Sequence, residues 1–164
     1  MAHKALDVYL NDHLSGSMIG TDLAEQLLER SEGTALGVVM ARLAPAIEED
    51  RQTLVDLMER LGTAENPVKK ATAWVAEKIT RPKFGGATSA EPAFGLFMAL
   101  ETLALGVEGK LTLWKSLREV ASDHPPLAAT NLDDLIARAQ SQRDALEVER
   151  ISACRRVLGA AGAD

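Results

Sequence analysis

"NPVKKATAWVAEKI", residues 66–79, decides how the rest of the chain is read. Asn66 is a good N-cap, and Pro67 suits a first helical turn, where its missing N–H costs nothing. Val68, Ala71, Val75 and Ile79 then recur at helical spacing and make a face able to lie against a larger core. "RPKFGGATSAEP", residues 81–92, follows as a loop. The stretch is therefore a short helix, about 67–80, inside a connection from 62 to 91 that is far longer than a hairpin turn.

Four long segments with helical periodicity flank this connection. The first, about 4–31, carries Leu6, Tyr9, Leu10, His13, Ser17, Gly20, Ala24, Leu27 and Leu28 on one face, and "SEGT" breaks it. The second, about 35–61, uses Leu36, Val39, Met40, Leu43, Ile47, Leu54, Leu57, Met58 and Leu61, stops at Gly62, and holds Pro45 inside it. The third, about 92–121, begins on Pro92; the fourth, about 131–158, begins on the N-cap Asn131 and ends at Gly159. Each spans ~40 Å at ~1.5 Å per residue. The links between helices one and two, and "SDHPPLAAT" at 122–130, are short and favour antiparallel hairpins. The expected architecture is all-α: one domain over 1–164, an antiparallel four-helix bundle with a long crossover carrying a short fifth helix, Trp74 covering one side or end.

Composition agrees with helices. Hydrophobic residues make up 46% of the 164 but aromatic ones only 4%, with Ala, Leu and Val dominating, and a chain of this length needs no metal or disulfide to stabilise its core. The net charge of -6, with eighteen basic residues scattered among twenty-four acidic ones, argues against nucleic acid as a partner. "PAFGLFMALETLALGV", 92–107, is too short for a membrane span and contains Glu101. The single Cys154 reads as a small core residue, and one cysteine with no export signal fits the cytoplasm.

Polar residues interrupt the apolar faces at defined points. The second helix contains "EEDR", 48–51, and the fourth "EVER", 147–150, each a Glu-x-x-Arg. Two helical hairpins joined by a long crossover, with these paired motifs, resemble the ferritin-like superfamily, and in particular bacterial members with degenerate metal-ligand motifs. In that family a Glu on each of two helices and a Glu-x-x-His on each of the others point into the bundle. The resemblance would place Glu48 and Glu147 at ligand positions, with Arg51 and Arg150 where histidine is expected. A guanidinium has no lone pair to donate and stays charged, so it would replace the metal's positive charge and hold carboxylates by forked hydrogen bonds.

At ~100° per residue, Arg143 and Arg150 fall near the centre of the face defined by Leu132, Ile136, Ala139, Leu146, Ala153 and Val157, with Glu147 toward its edge. Asp50 and Arg51 lie on either side of the Leu43, Ile47, Leu54 line, while Glu49 is solvated. His13 stands at the centre of the first helix's face beside Gly16, Ser17 and Gly20. Candidates for a polar core are thus His13, Asp50, Arg51, Arg143, Glu147 and Arg150. Glu101 and Glu108 share a stripe with Thr112 and Lys115 that reads equally as solvated or as partly covered.

Three uses are compatible with such a bundle. The favoured one is non-enzymatic, without cofactor or metal, its arginine–carboxylate pairs occupying the former metal region and its role being interaction or self-association, a homodimer included. The alternative is a di-metal protein binding iron or manganese through His13, Glu48, Glu101, Glu108 and Glu147. A third is a small-molecule binder with a pocket near His13, Gly16 and Gly20, where small side chains leave space.

Overall fold

The computed structural model describes residues 2–65 and 92–159. The expected short helix at 67–80, Trp74, the loop at 81–91 and the last residues lie outside them. Four long helices carry the described fold: α1 (Ala2–Arg30), α2 (Ala35–Leu61), α3 (Pro92–Glu119) and α5 (Leu132–Leu158). The single-turn α4 (Pro125–Ala128) sits between the last two, and no strand occurs among the described residues. The protein is all-α.

The helix ends follow from local chemistry. Thr34 caps α2, its hydroxyl accepting the Gly37 N–H at 3.1 Å. A Cβ on Gly37 would stand 2.2 Å from the Ser31 carbonyl oxygen, so the α1–α2 turn closes this tightly only around glycine. Gly62 ends α2 in the left-handed conformation at φ 71°, and Thr63 N–H returns to the Met58 carbonyl at 2.9 Å. Asn131 caps α5 by accepting the Asp134 N–H at 3.3 Å. The 122–130 link is more structured than a plain loop, and α3 stops at Glu119. A 3-10 turn, Ala121–Asp123, closed by the His124 N–H on the Ala121 carbonyl at 3.2 Å, precedes α4, where the His124 carbonyl accepts the N–H groups of Leu127 and Ala128 at 2.9 and 3.1 Å.

Cross-links set the helix directions. Thr63 donates to Asp7 Oδ1 at 2.6 Å and Asn11 to the Ala64 carbonyl at 3.1 Å, so the start of α1 meets the end of α2 and the two run antiparallel. Arg118 on Asp133, Arg143 on Glu108 and Arg150 on Glu101 likewise make α3 and α5 antiparallel. The core divides into two clusters along the helix axis. Leu10, Leu14, Leu54, Met58, Leu111 and Trp114 belong to one, and Leu23, Leu27, Met40, Ile47, Leu100 and Leu103 to the other. From the second cluster to the first, residue numbers rise in α2 and in α3 alike, so these two helices run parallel. The end of α2 and the start of α3 therefore lie far apart along the axis.

Two faces are rotated from their sequence-based positions. On α1 the buried line runs through Leu10, Leu14, Thr21 and Ala24, leaving His13 half-buried, because Gly16 and Gly20 offer no apolar surface to pull the face toward them. On α5 the buried set includes Leu135 and Gln142, which turns Arg143 to the margin.

Gly62→Ala places a Cβ on a left-handed residue and is expected to lower stability by ~1–2 kcal/mol. Urea denaturation checks this; an unchanged midpoint would mean that the α2 terminus is not held as described.

Candidate functional site: a cavity beside a buried charge cluster

Asp50 faces inward from the middle of α2 because it continues the Leu43, Ile47, Leu54 line, and its side chain is 0% exposed. An isolated carboxylate there would be very costly, so partners must hold it. Lys110 of α3 reaches Oδ2 at 2.5 Å, Gln142 of α5 donates to the same oxygen at 2.9 Å, and Arg138 of α5 pairs with Oδ1. Lys110 also donates to the Gln142 side-chain carbonyl, and Arg138 reaches Glu49 at 3.0 Å on the surface. One carboxylate thus ties α2 to α3 and α5. Burial pushes the Lys110 ammonium below the usual lysine range, and Asp50 works against that shift.

The other charged candidates form separate pairs at the margin. Arg51 forks onto Glu48 one turn away, its side chain 26% exposed, and this hydrogen bonding holds Glu48 below the ordinary carboxylate range. Arg150, 22% exposed, forks onto Glu147 and also reaches Glu101 at 3.1 Å. Arg143, 37% exposed, contacts Asp144 at 3.0 Å and Glu108 at 3.4 Å. The structure therefore brings Glu101, Glu147 and Arg150 together, and Glu108 with Arg143, while Glu48 stays with Arg51. Among the described residues no three His, Cys, Asp or Glu side chains converge as a metal-ligand group. Cys154 is half-buried against the second core cluster.

Sequence reasoning identified Asp50 but missed Lys110, Arg138 and Gln142. The signal was present: drawing the α5 face through Leu135 as well as Ile136 and Ala139 puts Gln142 at its centre, and Lys110 sits one turn from both Val107 and Trp114.

Beside this cluster lies a cavity of about 250 Å³ between α1, α2 and α3. Its walls are Asp12, His13, Gly16, Ser17 and Gly20 from α1; Ile47, Asp50, Arg51 and Leu54 from α2; and Leu103, Gly106, Val107, Gly109, Lys110, Leu113 and Trp114 from α3. Four of these residues are glycines within long helices, where glycine costs ~1 kcal/mol relative to alanine. A Cβ added to Gly16, Gly20, Gly106 or Gly109 would meet nothing within 4 Å among the described residues, so close helix packing does not require them. Gly16 and Gly106 are exposed and mark the opening in the α1–α3 seam, whereas Asp50, Leu54 and Trp114 are buried at the inner end. The indole N–H of Trp114 is buried without a hydrogen-bond partner among the described residues. His13 stacks edge-on against Tyr9 with ring centroids 4.6 Å apart, and Ser17 donates its hydroxyl to the Leu14 carbonyl at 2.7 Å.

Compared with known proteins, the chain matches no family model, no curated protein and no solved structure. No helix among the described residues is long and apolar enough to cross a membrane.

Burial pushes His13 below the ordinary histidine value of 6.5, with the nearby Asp12 opposing. The unfolded chain takes up that proton first as pH falls, so the neutral ring's contribution to stability is present above 6.5 and is lost as pH drops through the lowered value. His13→Gln should therefore lose less stability than the parent between about pH 7 and about pH 5. Parallel losses in urea denaturation at the two pH values would show that the ring is solvated.

Proposed function

We propose that this protein is a non-enzymatic small-molecule binder built on a ferritin-like bundle, with the cavity between α1, α2 and α3 as its site. The bundle assignment is supported by two antiparallel pairs, α1 with α2 and α3 with α5, and by the parallel course of α2 and α3. Two hairpins joined by a long connection have that arrangement. The cation drawn deepest is Lys110, which with Arg138 neutralises Asp50, whereas the arginines of the Glu-x-x-Arg motifs pair with partly exposed glutamates at the margin.

The carrying observation is the placement of the four unforced glycines. Gly16, Gly20, Gly106 and Gly109 come from two helices, weaken both, and all line one cavity. Space for an occupant accounts for this arrangement, whereas packing between the described helices would need close contacts at the missing Cβ positions, and the described residues make none. A ~150 Å³ apolar cavity holds benzene, so one of about 250 Å³ suits a somewhat larger molecule. Binding is favoured over catalysis because two of the groups at the walls that could act as base or nucleophile are engaged with protein: Asp50 by Lys110, Gln142 and Arg138, and Ser17 by its own helix.

Gly16→Ala and Gly106→Ala should each raise stability by ~0.5–1 kcal/mol, since alanine is the better helix former and meets no clash among the described residues. The hydrocarbon indane should raise the melting temperature of the parent in proportion to its saturation, and do so less in the Gly16→Val/Gly106→Val double variant. No indane effect on the parent, or an equal effect on both, would contradict the assignment of the cavity as a binding site.

A further inference from the structure

The inner and flanking sides of α5 are occupied by the bundle. Leu146 and Ala153 are buried, Arg143 and Arg150 reach Glu108 and Glu101 of α3, and Gln142 and Arg138 reach Asp50 of α2. Turned away from all of these, Asp144, Val148, Ile151, Arg155 and Leu158 recur at alternating steps of four and three residues. That is the period of about 3.5 residues by which one helix follows another. Val148 is 67% exposed and Leu158 62%, and Val148, Ile151, Ser152 and Arg155 line a shallow groove bordered by Glu147 and Arg156.

A single exposed valine is ordinary on a protein surface, so the order of residues along this strip is what selects a partner. In a pair related by a two-fold axis, residue i of one chain meets j of the other, and j meets i. An antiparallel pair with its axis between residues 149 and 150 sets Val148 against Ile151 of the second copy, and Ile151 against its Val148. Four residues outward on each side, the same axis sets Asp144 against Arg155 of the second copy, and Leu158 falls over its Ser141. Asp144 is 69% exposed and Arg155 is exposed, so both are within reach of another chain. We infer that two copies of this protein pair antiparallel along α5, with Val148 and Ile151 at the centre and reciprocal Asp144–Arg155 ion pairs on either side.

The charges decide against other occupants. A parallel pair would oppose Asp144 to Asp144 and Arg155 to Arg155. A purely apolar helix would strip water from both charges and return nothing. One helix pair buries less than the about 1,600 Å² of a typical stable complex, so the dimer is weak and forms at high concentration. No residue of this strip lines the cavity, and the inference is independent of the small-molecule reading.

Sedimentation equilibrium of the full chain from about 10 µM to about 1 mM, in about 0.1 M salt, should show the average mass rising from monomer toward dimer. Val148→Lys, at a position already mostly in water, should keep the helical circular-dichroism signal and weaken association at least about tenfold. Asp144→Arg and Arg155→Asp should each weaken it too, because each confronts like charges twice across the axis. Mixing these two variants in equal amounts should restore association to the parent level, since every reversed charge then meets its opposite. Recovery on mixing separates a lost contact from a lost fold. A mass that stays monomeric up to about 1 mM would overturn the pairing. Dimers indifferent to Val148→Lys would overturn this face as the contact, and a mixture no better associated than the single variants would overturn the antiparallel arrangement.

Discussion

A carboxylate with no contact to solvent must be neutralised where it stands, and Asp50 imposes that condition on the helices around it. Its two oxygens need donors from directions that α2 cannot supply, so Lys110 of α3 and both Arg138 and Gln142 of α5 converge on it. Sliding α3 or α5 by one turn, about 5.4 Å, would leave the charge without partners in a low-dielectric interior. Leucine contacts alone tolerate such slips far better, because dispersion and burial are non-directional. Asp50 therefore fixes axial register, while the leucine-rich clusters on either side of it supply most of the driving force for association of the helices.

That register also shapes the cavity. Lys110 and Asp50 form part of its inner wall, and Gly106 and Gly109 lie within one turn of Lys110 on the same helix. Holding Lys110 on Asp50 places these glycines opposite Gly16 and Gly20 of α1. The arrangement gives up helix propensity at four positions, and the Trp114 N–H is buried beside it without a hydrogen-bond partner among the described residues, a state that costs ~1–3 kcal/mol.

Much of the fold was legible because periodicity is repeated over long segments. Breakers at Gly62 and Pro92 and the cap at Asn131 set helix ends to within a few residues of those observed, and the apolar positions of α2 match its buried face closely. The site was legible in part. Gly16, Gly20 and His13 stood out as a small-residue patch, and all three line the cavity. Asp50 stood out from the spacing around Ile47 and Leu54. The partners of Asp50 did not, because a lysine or glutamine within an apolar stripe carries no local sign of what it will meet on another helix. Arg143 misled for a related reason: a rotation of α5 by a fraction of a turn exchanges it with Gln142, and only packing against α2 and α3 fixes that rotation.

The most direct test of this account is a double-mutant cycle between Asp50→Ala and Lys110→Ala, with unfolding free energies measured in urea. Each single change should be strongly destabilising, and the double variant should lose much less than their sum, with a coupling of ~1.5–3 kcal/mol. A coupling within ~0.5 kcal/mol of zero would mean that the two charges do not depend on each other, and the interior charge cluster could not be what sets the register of the helices.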